Sequence, residues 1–364
     1  MATAAHTIGL MSGTSHDGID AAVVAFDPAP RVVAGRTLAF PEELGRALLA
    51  VTTEPRPAID DLMRLDAWLG EAFGEAAREI LRASGLPRSA IQAIGCHGHT
   101  LYHAPSGDHG SSWQIGDPNR IAAVAGIPVA ADFRRRDIAA GGQGAPLAPA
   151  FHAFALGHPR EYRAVVNLGG IANITLLPPG GPVTGFDTGP ANTLLDGWAR
   201  EHRGTDCDQD GAMAAAGTVA PELLKALRAD PYFAQEPPKS TGREHFSRAW
   251  LEAFGPDRWR AVDVAATLAA LTTSTVADAL RAASPERVLI CGGGVHNPVL
   301  MAGLDEALPG ATVESTARHG LDPDMVEAAA FAWLARERVA GRPANEPAVT
   351  GAGERVVLGG LYSP

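Results

Sequence analysis

Residues 7–26 read TIGLMSGTSHDGIDAAVVAF, and this stretch decides the fold. An apolar run enters a turn of small polar residues, and a second apolar run leaves it, which predicts a strand, a tight turn and a strand. Gly13 and Gly18 allow the backbone to take positive φ or to approach a ligand closely. Thr14 and Ser15 add hydroxyl donors to the N–H groups of the turn. The turn is therefore suited to hold phosphate oxygens.

Two acidic residues stand in or beside this turn, and they need an explanation if phosphate binds there. Asp17 and Asp20 would repel a bare phosphate, so a hard divalent cation such as Mg²⁺ is expected between them. The turn is not a Walker A loop, because Ile19 and Asp20 replace the required Lys and Ser or Thr. A plain β-hairpin with a polar turn remains the alternative.

Composition bounds the class of protein. The 364 residues are enough for two domains, and 46% apolar with 20% charged residues is typical of a soluble globular protein. The net charge of −11 argues against nucleic acid and anionic membranes as partners, but not against a phosphate ligand. The three cysteines lie far apart and predict neither disulfides nor zinc. With no signal peptide or membrane-spanning stretch in the pattern, we expect a cytoplasmic protein.

A second stretch repeats the plan of the first. Residues 164–177 read AVVNLGGIANITLL, in which a strand meets a turn at Gly169 and Gly170 and a second strand follows. The two hairpins are about 155 residues apart, which predicts a duplicated domain. We expect one cleft between the two hairpins to hold the phosphates of a nucleotide from both sides.

A polar cluster follows the short apolar strand predicted at residues 90–95. In open α/β folds the end of a strand is where ligands bind, so residues 96–100 (CHGHT) are a candidate site. The spacing of His97, His99 and His103 does not favour a metal, since no carboxylate is interleaved. Substrate hydrogen bonding and simple turn structure both remain open.

Four further features allow a functional and a structural interpretation. The Arg triplet at residues 134–136 is a clamp for a carboxylate or phosphate, or a solvated loop. Asp187, between a strand and a helix, is a general base or a helix cap. The triple glycine at residues 292–294 is a nucleotide-binding turn or a connector. Glu327, on the last large helix, is a ligand contact or a surface carboxylate.

Five segments in this order resemble the anhydro-N-acetylmuramic acid kinase family: residues 11–20 (MSGTSHDGID), 95–100 (GCHGHT), 167–175 (NLGGIANIT), 185–192 (GFDTGPAN) and 291–297 (CGGGVHN). That family belongs to the actin, Hsp70 and sugar-kinase superfamily. The resemblance implies an α/β fold of two duplicated actin-like ATPase domains, ribonuclease H-like in topology, with a nucleotide cleft between them. We expect the first domain at residues 1–135, with roughly 340–364 packing back on it, and the second at 136–340.

The resemblance also implies a reaction. The family uses ATP and water to open the 1,6-anhydro ring of 1,6-anhydro-N-acetylmuramic acid and phosphorylates O6. The products are ADP and N-acetylmuramic acid 6-phosphate, and the role is recycling of peptidoglycan sugars. ATP and Mg²⁺ are the implied cofactors, the sugar is the implied small-molecule partner, and a homodimer is suggested.

Residue roles follow from the same match. Asp187 takes the position of the catalytic acid, and a carboxylate near the attacking water fits a general base. The first hairpin would hold ATP phosphates through Gly13, Thr14, Ser15, His16, Asp17, Gly18, Ile19 and Asp20, with Asp17 and Asp20 also toward Mg²⁺. The second hairpin would close on them through Asn167, Gly169 and Gly170. The adenosine would lie beside Gly292, Gly293, Gly294 and Asn297. The sugar contacts would be Ser12, His97, Asp117, Arg135, Asp187 and Glu327.

One departure from the family pattern is visible: His99 stands where the family usually has Gln. A histidine still donates a hydrogen bond, but its charge depends on pH, so substrate affinity or pH optimum would differ if residue 99 touches the substrate. Two other classes remain as alternatives: a kinase of an ordinary sugar hydroxyl, and an ATP-gated binding module like Hsp70 or actin. A glycosidase would leave two phosphate hairpins unexplained.

Overall fold

The structure is a computed structural model that describes residues 6–13, 18–53 and 56–364, with only the backbone of Thr53. The chain forms two compact units. The first unit runs to Ala155 and resumes at Gly320, and the second is Leu156–His319.

Both units contain strands and helices. The strands are β1 (His6–Ser12), β2 (Gly18–Ala25), β3 (Arg31–Ala39), β4 (Ile91–Ala104), β5 (Ser111–Ile115), β6 (Val129–Ala131), β7 (Arg163–Leu168), β8 (Ile171–Leu177), β9 (Thr184–Pro190), β10 (Arg287–Cys291), β11 (Thr312–Ser315) and β12 (Gly360–Tyr362). The helices are α1 (Glu42–Thr53), α2 (Ile59–Ser84), α3 (Pro118–Ala125), α4 (Phe133–Ala139), α5 (Ala148–Leu156), α6 (Asn192–Arg203), α7 (Ala212–Ala215), α8 (Pro221–Leu227), α9 (Arg248–Glu252), α10 (Ala261–Ala283), α11 (Pro298–Ala307), α12 (Val326–Val339) and α13 (Pro347–Thr350).

The sheet of the first unit is mixed. Its strand order is β12-β6-β4-β1-β2-β3, and β5 pairs with β4. Strands β1, β2 and β3 are antiparallel neighbours, whereas β4 is parallel to β1 and β6 is parallel to β4. The predicted hairpin at residues 7–26 therefore forms the centre of the sheet.

Helices cover this sheet where the sequence places apolar residues at helical spacing. In α2, Leu65, Leu69, Phe73 and Ile80 are buried against the sheet, and the helix ends at Gly85 with φ 69°. Helix α12 contacts β1 and β4 so closely that two strand glycines have no room for a side chain. A Cβ on Gly9 would lie 1.7 Å from the Ala328 carbonyl oxygen, and one on Gly95 would lie 1.9 Å from that of Phe331.

The sheet of the second unit repeats the topology of the first. Its order is β11-β10-β7-β8-β9, in which β7, β8 and β9 are antiparallel neighbours and β10 and β11 run parallel to β7. In both units, three antiparallel strands in chain order are followed by two parallel strands on the other side of the first. The predicted duplication of an α/β, ribonuclease H-like domain is confirmed. Helix α10 packs on this sheet, with Leu268, Leu271 and Val276 in the core.

The unit boundaries differ from those we expected at residues 135/136 and 340. Residues 136–155 and 320–339 pack with the first unit. One cause is α12, whose contacts with β1 and β4 are described above. Another is Asp137, which is fully buried and accepts hydrogen bonds from Asn345 Nδ2 and Thr350 Oγ1, both at 2.9 Å. These contacts join the segment after residue 136 to the end of the chain.

The sequence indicated that the polar cluster at residues 96–100 follows the end of a strand. In the structure the cluster lies within a strand instead. Strand β4 continues to Ala104 because β5 pairs with residues 99–104 and supplies the missing neighbour. His97 and His99 consequently lie within the sheet, where both are buried.

Candidate functional site

The first hairpin joins β1 to β2 in the first unit. Thr14, Ser15, His16 and Asp17, four of its proposed ATP ligands, lie outside the described residues. A Cβ on Gly18 would lie 2.4 Å from the Leu38 carbonyl oxygen, so this glycine lets β3 approach. The Ile19 side chain is in the core, which leaves only its backbone for a ligand. Asp20 follows on β2, where Thr37 donates a 2.6 Å hydrogen bond to its Oδ1.

Ser12 ends β1 directly before the turn, and its register partner on β4 is His99. The Ser12 hydroxyl lies 3.0 Å from His99 Nδ1, and both side chains are buried. The residue that departs from the family pattern is therefore a direct neighbour of a proposed sugar contact. His99 can therefore act on Ser12 without touching the sugar.

His97 is fixed by hydrogen bonds with two partners, which define its tautomer. Arg134 donates from Nε and Nη2 to His97 Nε2 at 3.0 and 2.8 Å, so Nε2 is unprotonated. Nδ1 then donates to the Gly98 carbonyl at 3.0 Å. Burial and the Arg134 charge hold the pKa of His97 well below its usual range, so the ring is neutral. His97 therefore orients Arg134. These contacts favour this role of His97 over the direct contact with the sugar that the resemblance implies.

Arg134, Glu327 and Asp20 bring three charges to the first unit. Burial lowers the pKa of Arg134 to about 10, and Glu327 opposes that change. Glu327 is accessible to solvent although protein atoms surround it. Desolvation by these protein atoms raises the pKa of Glu327. The charge of the Asp20 carboxylate raises this pKa further, and the charge of Arg134 lowers it. A guanidinium that interacts with the Glu327 carboxylate can bind a polar ligand that carries both anionic and hydroxyl groups.

Two predicted sugar contacts have other partners in the structure. Arg135 is more than half exposed and pairs with Asp132 at 2.7 Å, whereas its neighbour Arg134 turns inward. Asp117 caps α3 by accepting from the Asn119 backbone N–H at 2.9 Å. The geometry favours Arg134 over Arg135, and it gives Asp117 a structural role.

The second hairpin, between β7 and β8, is fixed to the start of α6. The Gly169 carbonyl accepts from the Asn192 N–H at 3.0 Å, and the Gly170 carbonyl accepts from the N–H groups of Ala191 and Thr193 at 3.0 and 3.1 Å. The Asn192 side chain donates to the Leu168 carbonyl at 2.7 Å. The turn is thereby held in one conformation at a helix N-terminus, which favours anions.

The triple-glycine turn lies against this hairpin. Cys291 and Asn167 are register partners, so the turn after β10 begins beside the turn after β7. Gly292 has φ 79°, and a Cβ there would lie 2.3 Å from Asn167 Oδ1. A Cβ on Gly294 would lie 2.5 Å from the Leu168 Cβ. The structure thus brings the proposed phosphate hairpin and adenosine turn together.

Asn297, predicted beside the adenosine, has a structural role in the described residues. Its Oδ1 accepts from the N–H groups of Val299 and Leu300 at 3.0 and 3.4 Å and caps α11. The side chain is buried against Gly211, where an added Cβ would lie 2.3 Å from Oδ1. Asn297 therefore positions the triple-glycine turn, and any nucleotide contact depends on the glycines of that turn.

Asp187 lies on β9 at a bulge opposite Asn173. Its Oδ2 accepts from the Thr241 N–H at 3.0 Å, its backbone N–H donates to the Lys239 carbonyl at 3.2 Å, and its carbonyl accepts from the Tyr232 hydroxyl at 2.7 Å. Burial raises the pKa of Asp187, and the Thr241 N–H opposes the rise. A carboxylate that is fixed and more basic than usual is suited to accept a proton.

The loop that supports Asp187 is not apparent from the sequence. Lys239 and Thr241 contact Asp187 through main-chain atoms, and main-chain contacts leave no mark on residue type. The run PPKSTGRE at residues 237–244 showed only cationic and hydroxyl groups in a proline-rich loop.

Two units of one topology, each with a glycine-rich hairpin between its first two strands, define the class of actin-like ATPases and sugar kinases. The family model described as anhydro-N-acetylmuramic acid kinase matches residues 5–364. The chain belongs to that family.

Two relatives agree with this assignment, and a solved structure agrees with the fold. A protein named anhydro-N-acetylmuramic acid kinase from Xanthomonas campestris pv. campestris (strain 8004) is 58% identical, over 98% of this chain and 96% of that protein. One of the same name from Xylella fastidiosa (strain Temecula1) is 51% identical, over 98% and 95%. The crystal structure of the Acidaminococcus fermentans (R)-2-hydroxyglutaryl-CoA dehydratase component A matches with a TM-score of 0.51 at 12% identity, over 92% and 99%. That last likeness shows the fold alone.

Two searches of the described residues were negative. No helix in this part of the chain is long and apolar enough to cross a membrane. Nor do three or more His, Cys, Asp or Glu side chains gather there in a group that could hold a metal ion.

Proposed function

We propose that this protein is an ATP-dependent kinase that opens the 1,6-anhydro ring of 1,6-anhydro-N-acetylmuramic acid with water and phosphorylates O6. The observation that carries the proposal is Asp187, a carboxylate of raised pKa fixed by the Thr241 N–H within the fold of an ATP-utilising family. The products are ADP and N-acetylmuramic acid 6-phosphate, and the role is recycling of peptidoglycan sugars in the cytoplasm. The protein is proposed to act as a homodimer.

In this mechanism Asp187 takes a proton from the attacking water. The water oxygen forms a bond to C1 of the sugar while the C1–O6 bond breaks. O6 forms a bond to the γ-phosphorus, and the bond from that phosphorus to the bridging oxygen of ADP breaks. The raised pKa makes Asp187 a stronger base than an ordinary aspartate.

ATP is proposed to bind through the two hairpins and the triple-glycine turn. The proposed contacts on the first unit are the turn at residues 13–20, and those on the second are Asn167, Gly169 and Gly170. Support comes from the close packing of Asn167 and Leu168 against the turn at residues 292–294, and from the hydrogen bonds of the Gly169 and Gly170 carbonyls to the start of α6. Backbone N–H groups of glycine-rich turns favour phosphate despite the net negative charge of the chain.

Mg²⁺ is proposed beside Asp20, with Asp17 as the second expected carboxylate. Magnesium in phosphoryl-transfer sites needs only one or two protein carboxylates, because waters and substrate phosphates complete its shell. The carboxylate of Asp20, next to the phosphate hairpin, therefore fits this metal. When bound, Mg²⁺ neutralises charge on the transferring phosphoryl group.

The sugar is proposed to contact Arg134, Glu327 and Ser12. The Arg134 guanidinium, oriented by His97, matches the lactyl carboxylate, and Glu327 accepts hydrogen bonds from hydroxyl or amide groups. In this arrangement His97 acts through Arg134. Arg134 takes the role that we expected for Arg135.

One incubation tests the reaction. The protein is mixed with Mg-ATP and 1,6-anhydro-N-acetylmuramic acid in ¹⁸O-labelled water, and the products are read by mass spectrometry. We expect a 6-phosphorylated sugar with the label at C1. An unlabelled sugar phosphate would indicate an ordinary sugar kinase, and ADP without sugar phosphate would indicate an ATP-gated module.

The variant Asp187→Asn tests the assignment of the base. Asparagine can still accept the Thr241 N–H, so the loop remains in place while the proton acceptor is lost. We expect kcat to fall by about 10²–10⁴-fold with ATP affinity unchanged. Normal turnover in this variant would contradict the assignment.

A further inference from the structure

The loop at residues 237–244 contacts two proposed functional groups of the second unit, the base and the phosphate-binding turn. At one end, the Lys239 carbonyl and the Thr241 N–H hold Asp187. At the other end, the Arg243 guanidinium lies over Gly170 of the second hairpin. A Cβ on Gly170 would lie 2.8 Å from both Nε and Nη2 of Arg243. A single loop therefore connects the proposed base with the proposed phosphate-binding turn.

Gly170 leaves room for the Arg243 guanidinium in this position. It is absent from the glycines of positive φ, so its backbone conformation does not require glycine. Its carbonyl is fixed by the N–H groups of Ala191 and Thr193. A Cβ at residue 170 would require the Arg243 guanidinium to shift from its present place.

We propose that Arg243 binds the phosphate oxygens of ATP, an inference that rests on the proposed phosphate role of the second hairpin. The Arg243 side chain is exposed, so its guanidinium is accessible to a ligand that reaches the turn. A planar guanidinium offers paired N–H donors that match phosphate oxygens. Placed over Gly170, it supplies the positive charge that the hairpin itself lacks. Arg243 thereby extends the donor set beyond the glycine turns.

The competing explanation is that Arg243 only balances Asp196 on α6. Burial raises the pKa of Asp196 to about 6, while the charges of Arg200 and Arg243 lower it. If that were the whole role, removing the Asp196 charge would make Arg243 dispensable. The two explanations therefore differ in what a double variant does.

The experiment measures binding of a non-hydrolysable ATP analogue with Mg²⁺ to the full chain by calorimetry. Loss of a charge-assisted hydrogen bond predicts that Arg243→Met weakens binding about tenfold or more. Arg243→Lys keeps the charge but not the fork, so we expect a smaller loss and a raised KM for ATP. The matched control is Arg258→Met, because the Arg258 guanidinium also lies over a glycine, Gly255, but outside the hairpin. The control should bind as the wild type does.

Each outcome has a distinct meaning. Unchanged analogue binding in Arg243→Met, with wild-type binding intact, would overturn the role of Arg243 and leave the proposed function standing. Recovery of wild-type affinity in the Arg243→Met, Asp196→Asn double variant would also overturn it, in favour of charge balance. Failure of the wild type itself to bind the analogue would instead contradict the proposed function. Thermal unfolding of each variant checks that the exposed substitution leaves the fold intact.

Discussion

Asp137 offers the sharpest test of how the first unit is held together. Its carboxylate is fully buried and accepts from the Gly144 N–H at 2.8 Å, from Asn345 Nδ2 at 2.9 Å and from Thr350 Oγ1 at 2.9 Å. The Gly144 carbonyl in turn accepts from Arg134 Nη1 at 2.8 Å. Asp137 thus connects the end of the chain with the guanidinium proposed to bind the sugar.

The variant Asp137→Ala leaves three buried donors without their acceptor. A hydrogen bond to a charged group contributes about 1.5–3 kcal/mol. Because water entering the space satisfies part of the lost bonding, we expect the free energy of unfolding to fall by about 3–5 kcal/mol rather than by the full sum. In a unit of this size that change lowers Tm by roughly 6–20 °C.

Two variants calibrate this expectation. Asp137→Asn retains Oδ1, which accepts from Asn345 and Thr350, and loses the bond from Gly144, so its loss of stability should be about 1–3 kcal/mol. Glu75→Ala removes only an exposed helical pair with Arg78 and should cost less than about 1 kcal/mol.

Calorimetric unfolding and steady-state kinetics together decide the matter. Both Asp137 variants should also raise the KM for the sugar, because Arg134 loses the fixed position of the Gly144 carbonyl. A Tm for Asp137→Ala equal to that of Glu75→Ala would refute the reasoning. A large loss of stability with an unchanged KM for the sugar would refute the connection between Asp137 and Arg134.

Three further predictions concern sugar binding, pH and packing. Arg134→Met should raise the KM for the sugar by about tenfold or more, whereas Arg135→Met should leave it unchanged; steady-state kinetics with equal effects of the two would contradict the assignment. The acidic limb of kcat/KM against pH should lie above the ordinary aspartate value of about 3.9, because Asp187 must be deprotonated to act and burial raises its pKa; a limb that persists unchanged in Asp187→Asn belongs to another group. Gly95→Ala would place a Cβ 1.9 Å from the α12 backbone and should lower the free energy of unfolding by about 3 kcal/mol. Its control is Gly45→Ala, where the nearest atom is 4.0 Å away, and chemical denaturation should show no loss for that variant.

The elements with local signals could be predicted from the sequence. The small polar turn between two apolar runs indicated the hairpin at residues 7–26, and its repeat at 164–177 indicated the duplication, which the matching strand orders confirm. These features depend on neighbours in the chain, and local pattern is sufficient for them.

The features that depend on distant contacts could not be predicted. Residue type does not distinguish Arg134 from Arg135, because only the direction of α4 decides which one meets His97. Asp117 and Asn297 are residue types that often bind ligands, but in the structure both cap helices. The support of Asp187 by Thr241 runs through main-chain atoms more than fifty residues away in sequence and has no sequence signature.

The order of synthesis has different consequences for the two units. The second unit is one continuous segment, so it has all its residues before the ribosome reaches α12. The sheet of the first unit begins to form from the first strands made, but the face of β1 and β4 with Gly9 and Gly95 receives its cover only when α12 emerges. During that interval an apolar face is open to chaperones and to other nascent chains. The first strands made thus belong to the unit that is completed last.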